Sequence, residues 1–312
     1  AYQSTAPLLE AQQYIFTNKN SIESIFELQY SSGEQENSAV NHLYGYSTGS
    51  HLEVSQDALA VCYGGWGNAK YDSRMWVGAQ NLVTTGSSSS STALSGYYCV
   101  KWQRPDVNWT GQQTSREIKN VEISSNKWCN WIIYRMTDVM LMKAEALACI
   151  GGAANNTLAK NIVNAIHRRS FCNYNESKPV SPDLTSGSTN GNATNNSDIV
   201  VMVLNERQIE LLGEGKRWFD LVRYAERNSD SASEAADERE ATEEKHVGNG
   251  QKGMIKMVDT FLRNAYSNYY TTLKNRFKNR YGLYSPIYYM DVKASDGKLH
   301  QNPVWNKSKY DQ

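Results

Sequence analysis

The chain has 312 residues, 40% hydrophobic and 21% charged, so it can bury a core and fold as one large domain or two ordinary ones. Lys+Arg 32 balances Asp+Glu 32, which removes the long-range pull toward nucleic acid or an anionic membrane. Cys62, Cys99, Cys129, Cys149 and Cys172 are scattered with no C-x-x-C pair, which excludes a disulfide framework or structural zinc site and predicts mostly buried free thiols.

Tyr 20 and Trp 8 far outnumber Phe 6, a bias toward rings that are apolar on the face and polar at the edge. No hydrophobic run reaches the length of a membrane span; Lys143 and Glu145 interrupt the best stretch, "VMLMKAEALACI". The opening "AYQSTAPLLEAQQYI" carries no signal peptide and reads as the middle of a longer protein.

Residues 5–18 fit a helix with Pro7 in its first turn. In "SIFELQY" (24–30), Phe26, Leu28 and Tyr30 alternate with Glu27 and Gln29, which predicts a half-buried strand. A Gly, Ser and Asn-rich region follows, with a short helix begun by Ser55. "TTGSSSSST" (84–92) reads as a flexible excursion and "YYCVKWQ" (97–103) as a second strand. From Ile133 the pattern is helical: "YRMTDVMLMKAEALA" stops at Gly151-Gly152 and "TLAKNIVNAIHRRS" returns, an antiparallel helix hairpin. Residues 173–197 have loop composition, "ERNSDSASEAADEREATEEK" reads as a solvated acidic face, a helix is expected from about Met254 to Arg276, and the Tyr-rich tail with Pro286 and Pro303 looks extended.

The densest chemistry lies in "ERQIELLGEGKRWFDLVRY" (206–224). Treated as one helix, Leu204, Leu211, Leu212, Trp218, Phe219 and Val222 fall on one stripe with Gly215 in its middle. Each glycine costs roughly 1 kcal/mol against alanine in a helix interior, so Gly213 and Gly215 need a reason. That reason is either close approach of another helix backbone at Gly215 or a break at Gly213. Glu206, Glu210, Glu214, Arg217 and Asp220 take the opposite side with Arg207 at its edge. Their spacing allows Arg207–Glu210, Glu214–Arg217 and Arg217–Asp220 pairs. Ile209 and Leu221 among them imply that this side is partly covered, where charges must be paired. Paired glutamates could instead act as acid and base in glycoside cleavage. Neighbouring arginines oppose that reading, because they keep carboxylates ionised and a general acid needs a raised pKa.

These segments together resemble the SusD/RagB family of outer-membrane nutrient-binding lipoproteins. "YRMTDVMLMKAEALA" is similar to the family's Arg-Tyr-x-Asp-Val-Leu-Leu-x-x-Ala-Glu-Ala helix at Arg135, Asp138, Ala144, Glu145 and Ala146. The 206–224 segment matches its Glu-Arg-x-x-Glu-Leu-x-x-Glu-Gly-x-Arg-x-x-Asp-Leu-x-Arg signature from Glu206 through Arg223. "LYSPIYYMD…LHQNPVW" resembles its closing Pro-Ile-Pro and Gln-Asn-Pro-Gly-Tyr elements, with Tyr288 in place of the second proline and Val304-Trp305 in place of Gly-Tyr. His167 stands where the family has arginine and Ser170 where it has alanine.

The resemblance implies a mainly α, loop-rich SusD-like fold, its tetratricopeptide-like N-terminal half largely missing. A loop-rich part (1–132) would carry ligand loops and a helical part (133–312) the scaffold. It implies a non-catalytic protein at the outer membrane of Bacteroidetes, lipid-anchored through a cysteine absent here. Such a protein would capture an oligosaccharide or polysaccharide and pass it to a SusC-like TonB-dependent transporter; the RagB branch captures peptide instead.

The family carries no fixed ligand motif, so ligand residues are read from the chain itself. Tyr63, Trp66, Tyr71, Trp76, Tyr97, Tyr98, Trp102 and Trp109 crowd residues 61–109, and "YGGWGNAKYDSRMW" sets Trp66 among glycines. Sugars offer apolar C–H faces with a hydroxyl rim, which rings and nearby polar groups bind together. The expected ligand residues are therefore Tyr63, Trp66, Asn68, Tyr71, Asp72, Arg74 and Trp76, with Trp66 as the stacking platform; the alternative makes Tyr63 and Trp76 core. "GGWGNAK" lacks the ending of a phosphate loop, no histidines pair at metal-ligand spacing, and His167 reads as a surface or capping residue. No cofactor, metal or nucleic-acid partner is expected. A glycoside hydrolase with two carboxylates in an aromatic cleft is the alternative from another class.

Overall fold

A computed structural model describes residues 14–31, 33, 35–44, 54, 74, 83–85, 91–93, 99, 101–102, 105–108, 117–121, 129–170, 197–228, 267–272, 284–302 and 305. The protein is mainly helical, with a few short strands. The helix expected over 5–18 is seen at its end, residues 14–17, where Ile15 and Phe16 are buried. Pro7, Ser55 and the helix expected to begin there, residues 173–196, the acidic stretch beyond Asn228 and most of the span from Met254 to Arg276 lie outside the described residues.

Strand β1 (Ser24–Leu28) pairs antiparallel with β6 (Trp131–Arg135), Phe26 opposite Tyr134 and Leu28 opposite Trp131. The expected alternation is inverted. Glu27 is the buried residue while Phe26 and Leu28 are exposed, because Glu27 has partners: its Oε2 accepts from the Asn20 backbone N–H (3.0 Å) and Asn130 Nδ2 (2.7 Å). Register shifts on both sides of Phe26 re-aim the side chains there. Between these strands in sequence lies the helix α1 (Ser38–Tyr44), which the sequence reading missed; Asn37 precedes it, accepting from the Val40 N–H and donating to the Cys129 carbonyl.

The two ends of the run expected to be a flexible excursion pair as a ladder, β2 (Val83–Thr85) with β3 (Ser91–Ala93), and residues 86–90 lie outside the described residues. A second ladder, β4 (Pro105–Asn108) with β5 (Glu117–Val121), places Pro105 at a strand start, where its missing N–H costs least. "YYCVKWQ" is not a strand where it is described: Lys101 and Trp102 form a turn. Trp102, fully buried, stacks on Trp131 (centroids 5.0 Å apart, planes 5°) and on Tyr44 (4.6 Å, 28°), with Phe16 edge-on at 5.2 Å. Ile15, Val40, Cys99, Cys129 and Ile132 complete this core. Of the described thiols, Cys99 and Cys129 are buried and free, and burial pushes the Cys129 thiol up to about 12; Cys149 is exposed.

The strand β6 runs straight into α2 (Met136–Ile150), so the helix begins later than its periodicity suggested. No side chain caps it; the Met136 N–H instead donates to the Glu23 carbonyl at 2.7 Å. The hairpin with α3 (Ala153–Ser170) forms as expected, and α4 (Ser197–Glu210) packs on both. Ala144, Ala148 and Ala159 let the backbones approach, while Leu141, Val163, Ile166, Ile199, Met202 and Val203 fill the space between.

Residues 206–224 are not one helix. Helix α4 ends at Glu210, residues 211–215 turn, and α5 (Arg217–Asn228) starts afresh. Gly213 (φ +79°) and Gly215 (φ +72°) are both left-handed, which glycine adopts without a Cβ penalty. The close approach is at Gly213, not Gly215: a Cβ there would sit 2.7 Å from Cys99 Sγ and 3.5 Å from Tyr44 Cε1, and the Tyr44 hydroxyl donates to the Gly213 carbonyl. Nothing lies within 4 Å of a Cβ at Gly215.

The chain divides into two units, Ala1–Arg217 and Trp218–Gln312. Within the second, Asp220 pairs with Arg223 at 2.8 Å, Ser267–Tyr269 is a short 3-10 turn, and α6 (Tyr289–Ala294) breaks the tail expected to be extended. The Gln301 amide holds both backbone groups of Ile287: its Nε2 donates to the carbonyl (2.7 Å) and its Oε1 accepts from the N–H (3.0 Å). Asn302 Nδ2 and Trp305 Nε1 donate to the Tyr284 carbonyl at 3.2 and 2.9 Å. This clamp gives the closing Gln-Asn-Pro element its physical purpose, and Trp305 fills it where the family has tyrosine.

The two glycines of the 211–215 turn differ in a way that denaturation can measure. Gly215→Ala meets only the left-handed penalty, about 1–2 kcal/mol. Gly213→Ala adds a steric clash of about 1–3 kcal/mol against Cys99. Urea unfolding is expected to show Gly213→Ala as the more destabilised, and Cys99→Ala in that background to recover part of the difference.

Candidate functional site

The acids of the signature do not face solvent. Glu206, Glu210 and Glu214 are spaced by four along the last turns of α4 and the turn that follows, and all three are buried, as are Arg74, Lys101 and Arg135. The face that the helical wheel set opposite the apolar stripe is thus a sealed one, whereas Phe219 of the apolar stripe is exposed. Leu204 and Leu211 of that stripe are buried too, so both sides of α4 are covered, and beyond the break at residues 211–215 one wheel no longer describes the chain.

Arg135, the last residue of β6, is the hub. Its Nε and Nη2 donate to the two oxygens of Glu214 at 2.8 Å each, a bidentate fork, and Nη1 donates to Glu210 Oε1 at 2.9 Å and Glu23 Oε2 at 3.1 Å. Glu210 also accepts from Arg169 Nη2 (2.6 Å) and Arg74 Nη1 (3.2 Å). Arg74 Nη1 reaches Glu206 Oε1 at 2.5 Å, and His167 Nδ1 lies 3.4 Å from the other oxygen of Glu206. Lys101 Nζ donates to Glu214 Oε1 and to the Glu210 carbonyl, 2.7 Å each. Arg135 Nη2 donates to that carbonyl as well, so the negative end of α4 is closed by two cations. Among the described residues, Arg74, Lys101, Arg135 and Arg169 match Glu23, Glu206, Glu210 and Glu214 in number.

A second cluster adjoins the first. Arg207 Nη1 donates to Asp138 Oδ1 at 2.9 Å, and Lys216 Nζ lies 3.3 Å from Asp138 Oδ2 while donating to the Ile133 carbonyl at 2.7 Å. Arg217 Nη1 donates to the Leu204 carbonyl at 3.0 Å. The expected pairs within one helix therefore do not form for Arg207–Glu210 or Glu214–Arg217: these glutamates take their cations from other segments of the chain.

Burial alone would push Glu210 upward, but Arg169, Arg135, Arg74 and Lys101 outweigh it and hold the carboxyl well below its usual range. Glu214 is likewise lowered against burial by Arg135 and Lys101, and Glu206 by Arg74 and the neighbouring His167. Arg135 is raised well above its ordinary value because Glu214 and Glu210 overcome its desolvation. These acids are ionised at any physiological pH and cannot deliver a proton as a general acid does.

Of the expected ligand residues, only Arg74 is described, and it is corrected: its guanidinium is 1% exposed and committed to Glu206 and Glu210. Tyr63, Trp66, Asn68, Tyr71, Asp72 and Trp76 lie outside the described residues, as do Tyr97, Tyr98 and Trp109. Trp102 is core. His167, read as a surface or capping residue, is buried beside Glu206. Sequence reasoning missed Lys101, Arg169 and Glu23 as network members; a lysine inside the apolar run "YYCVKW" was the one available signal. Among the described residues no group of His, Cys, Asp or Glu could hold a metal ion, and no helix is long and apolar enough to cross a membrane.

Two measurements on the network follow. Removing its hub, Arg135→Gln, leaves buried glutamates short of charge and is expected to cost about 3–5 kcal/mol in urea unfolding. Because the three glutamates are depressed when folded, the unfolded chain binds more protons as pH falls through 4.5, the ordinary glutamate value. Their stabilisation is complete above that value and is lost as pH descends toward the folded values. Unfolding midpoints should drop over that interval, and drop less steeply in Glu210→Gln.

The SusD family profile matches residues 44–305. SusD-like protein P38 from Formosa agariphila is 36% identical over 94 residues, 30% of this chain and 17% of that protein. A SusD homolog from Bacteroides thetaiotaomicron matches 96% of this chain and 50% of its own with a TM-score of 0.54 at 17% identity. A SusD superfamily protein from Bacteroides vulgatus matches 95% and 54% with a TM-score of 0.52 at 17% identity. The chain spans about half the length of these solved structures. With the family profile covering most of the chain, the chain belongs to the SusD family.

Proposed function

We propose that this protein is a non-catalytic binding protein of the cell surface that captures an oligosaccharide and hands it to a SusC-like TonB-dependent transporter, held at the outer membrane by a lipid anchor. One observation carries the non-catalytic part: the signature acids are sealed inside the fold and matched by cations. They therefore act as framework, and recognition falls to rings and polar groups elsewhere. Family membership supports the cell-surface and glycan assignment. The aromatic stretch Tyr63–Trp76, with glycines beside Trp66, has the residue types that stack on sugar faces and bind the hydroxyl rim.

The test is incubation of the full chain with immobilised and free neutral polysaccharides. Retention without new reducing ends is the expected result; turnover abolished by one carboxylate substitution, or retention of peptides but no glycan, would contradict it. For the best glycan found, Trp66→Ala is expected to weaken binding by about tenfold, the loss of one stacked ring. Unchanged affinity removes Trp66 from the site.

A further inference from the structure

The second unit presents an aromatic surface that the family signature does not account for. Tyr288 is 61% exposed and Tyr284 and Tyr289 are also open to solvent, although tyrosine rings of this size are ordinarily mostly covered. Tyr288 and Tyr289 meet edge to face, centroids 5.1 Å apart at 65°, so each fixes the other's orientation.

Their backbone is equally fixed. Gln301 grips both polar groups of Ile287, the residue before Tyr288; Asn302 and Trp305 hold the Tyr284 carbonyl; and α6 begins at Tyr289 itself. A side-chain clamp of this kind pre-arranges the rings, so a ligand would not have to order them on binding. Tyr288 stands where the family resemblance places a proline, so the ring is a feature of this chain and not of the scaffold.

The surroundings narrow the ligand. Asp291, Lys293, Asp296 and Lys298 are the charged residues of 284–302, two of each sign, so neither a polyanion nor a polycation is favoured. Rigid rings with hydroxyls at their rim, on a segment that itself has no net charge, suit a neutral, hydroxyl-rich chain with apolar C–H faces. We infer that the clamped turn Tyr284–Tyr289 is a contact site for neutral oligosaccharide, with the Tyr288 ring as its stacking face.

This inference rests on the oligosaccharide reading above, and the experiment separates the two. The full chain and its Tyr288→Ala, Tyr288→Phe and Gln301→Ala variants are titrated calorimetrically with neutral glucan, xylan and mannan oligosaccharides, with circular dichroism as a fold check. Tyr288→Ala removes an exposed ring and should leave the fold intact while weakening binding roughly three- to tenfold. Tyr288→Phe keeps the stacking face and should stay within about twofold of the parent, and Gln301→Ala should weaken binding by loosening the turn. Wild-type binding that Tyr288→Ala leaves unchanged overturns the inference alone. Absence of wild-type binding to any neutral oligosaccharide overturns both.

Discussion

The fork between Arg135 and Glu214 is the contact on which the first unit depends. It joins the end of β6 to the turn after α4, and the same guanidinium reaches Glu210 and Glu23. Taking so many charges out of water is unfavourable by several kcal/mol for each ion. The arrangement persists because the described cations and carboxylates match in number and nearly every oxygen has a short partner. Its contribution is geometric more than energetic. Arg74, Lys101, Arg135 and Arg169 come from distant parts of the chain, and only one placement of those parts satisfies all of the acids.

The aromatic core and the glycine turn follow from that placement. Lys101 Nζ and Arg135 Cζ lie 5.2 and 5.5 Å from the centre of the Phe16 ring, so the cations also rest on an aromatic face. Lys101 is a chain neighbour of Trp102, and fixing the lysine to Glu214 fixes the indole that stacks with Trp131 and Tyr44. The turn at Gly213 brings the main chain against Cys99 and the Tyr44 hydroxyl, which a side chain would forbid. Acids, glycine and aromatics of one short segment thus serve a single junction. Its three glutamates, held ionised by their cations, are not left in a state to donate a proton.

What could be read from the sequence was what is local. The hairpin of α2 and α3 shows in its period and in Gly151-Gly152, and the signature acids show as groups that need cations. The identity of those cations did not show, because they lie between 41 residues (Arg169–Glu210) and 136 residues (Arg74–Glu210) away in the chain. The same blindness put Arg74 in the ligand site and Glu27 on the outer face of β1. Both are polar residues whose buried partners, Glu206 and Asn130, no spacing rule reveals. The single wheel presumed an unbroken rod, whereas the break at Gly213, the other reading the glycines allowed, is the one the chain adopts. The tail motif was legible as a resemblance, but its purpose, a glutamine amide taking the place of a neighbouring strand for Ile287, required the folded chain.

The account turns on the protonation of the buried glutamates. Carbon-13 NMR titration of side-chain carboxyls in the full chain, with Glu206, Glu210 and Glu214 assigned by substitution, measures it directly. All three are predicted to stay ionised below 4.5, the ordinary glutamate value, Glu210 the furthest below it. Any one of them titrating above that value in the folded protein would identify a carboxyl able to donate a proton, and would contradict the framework role assigned here.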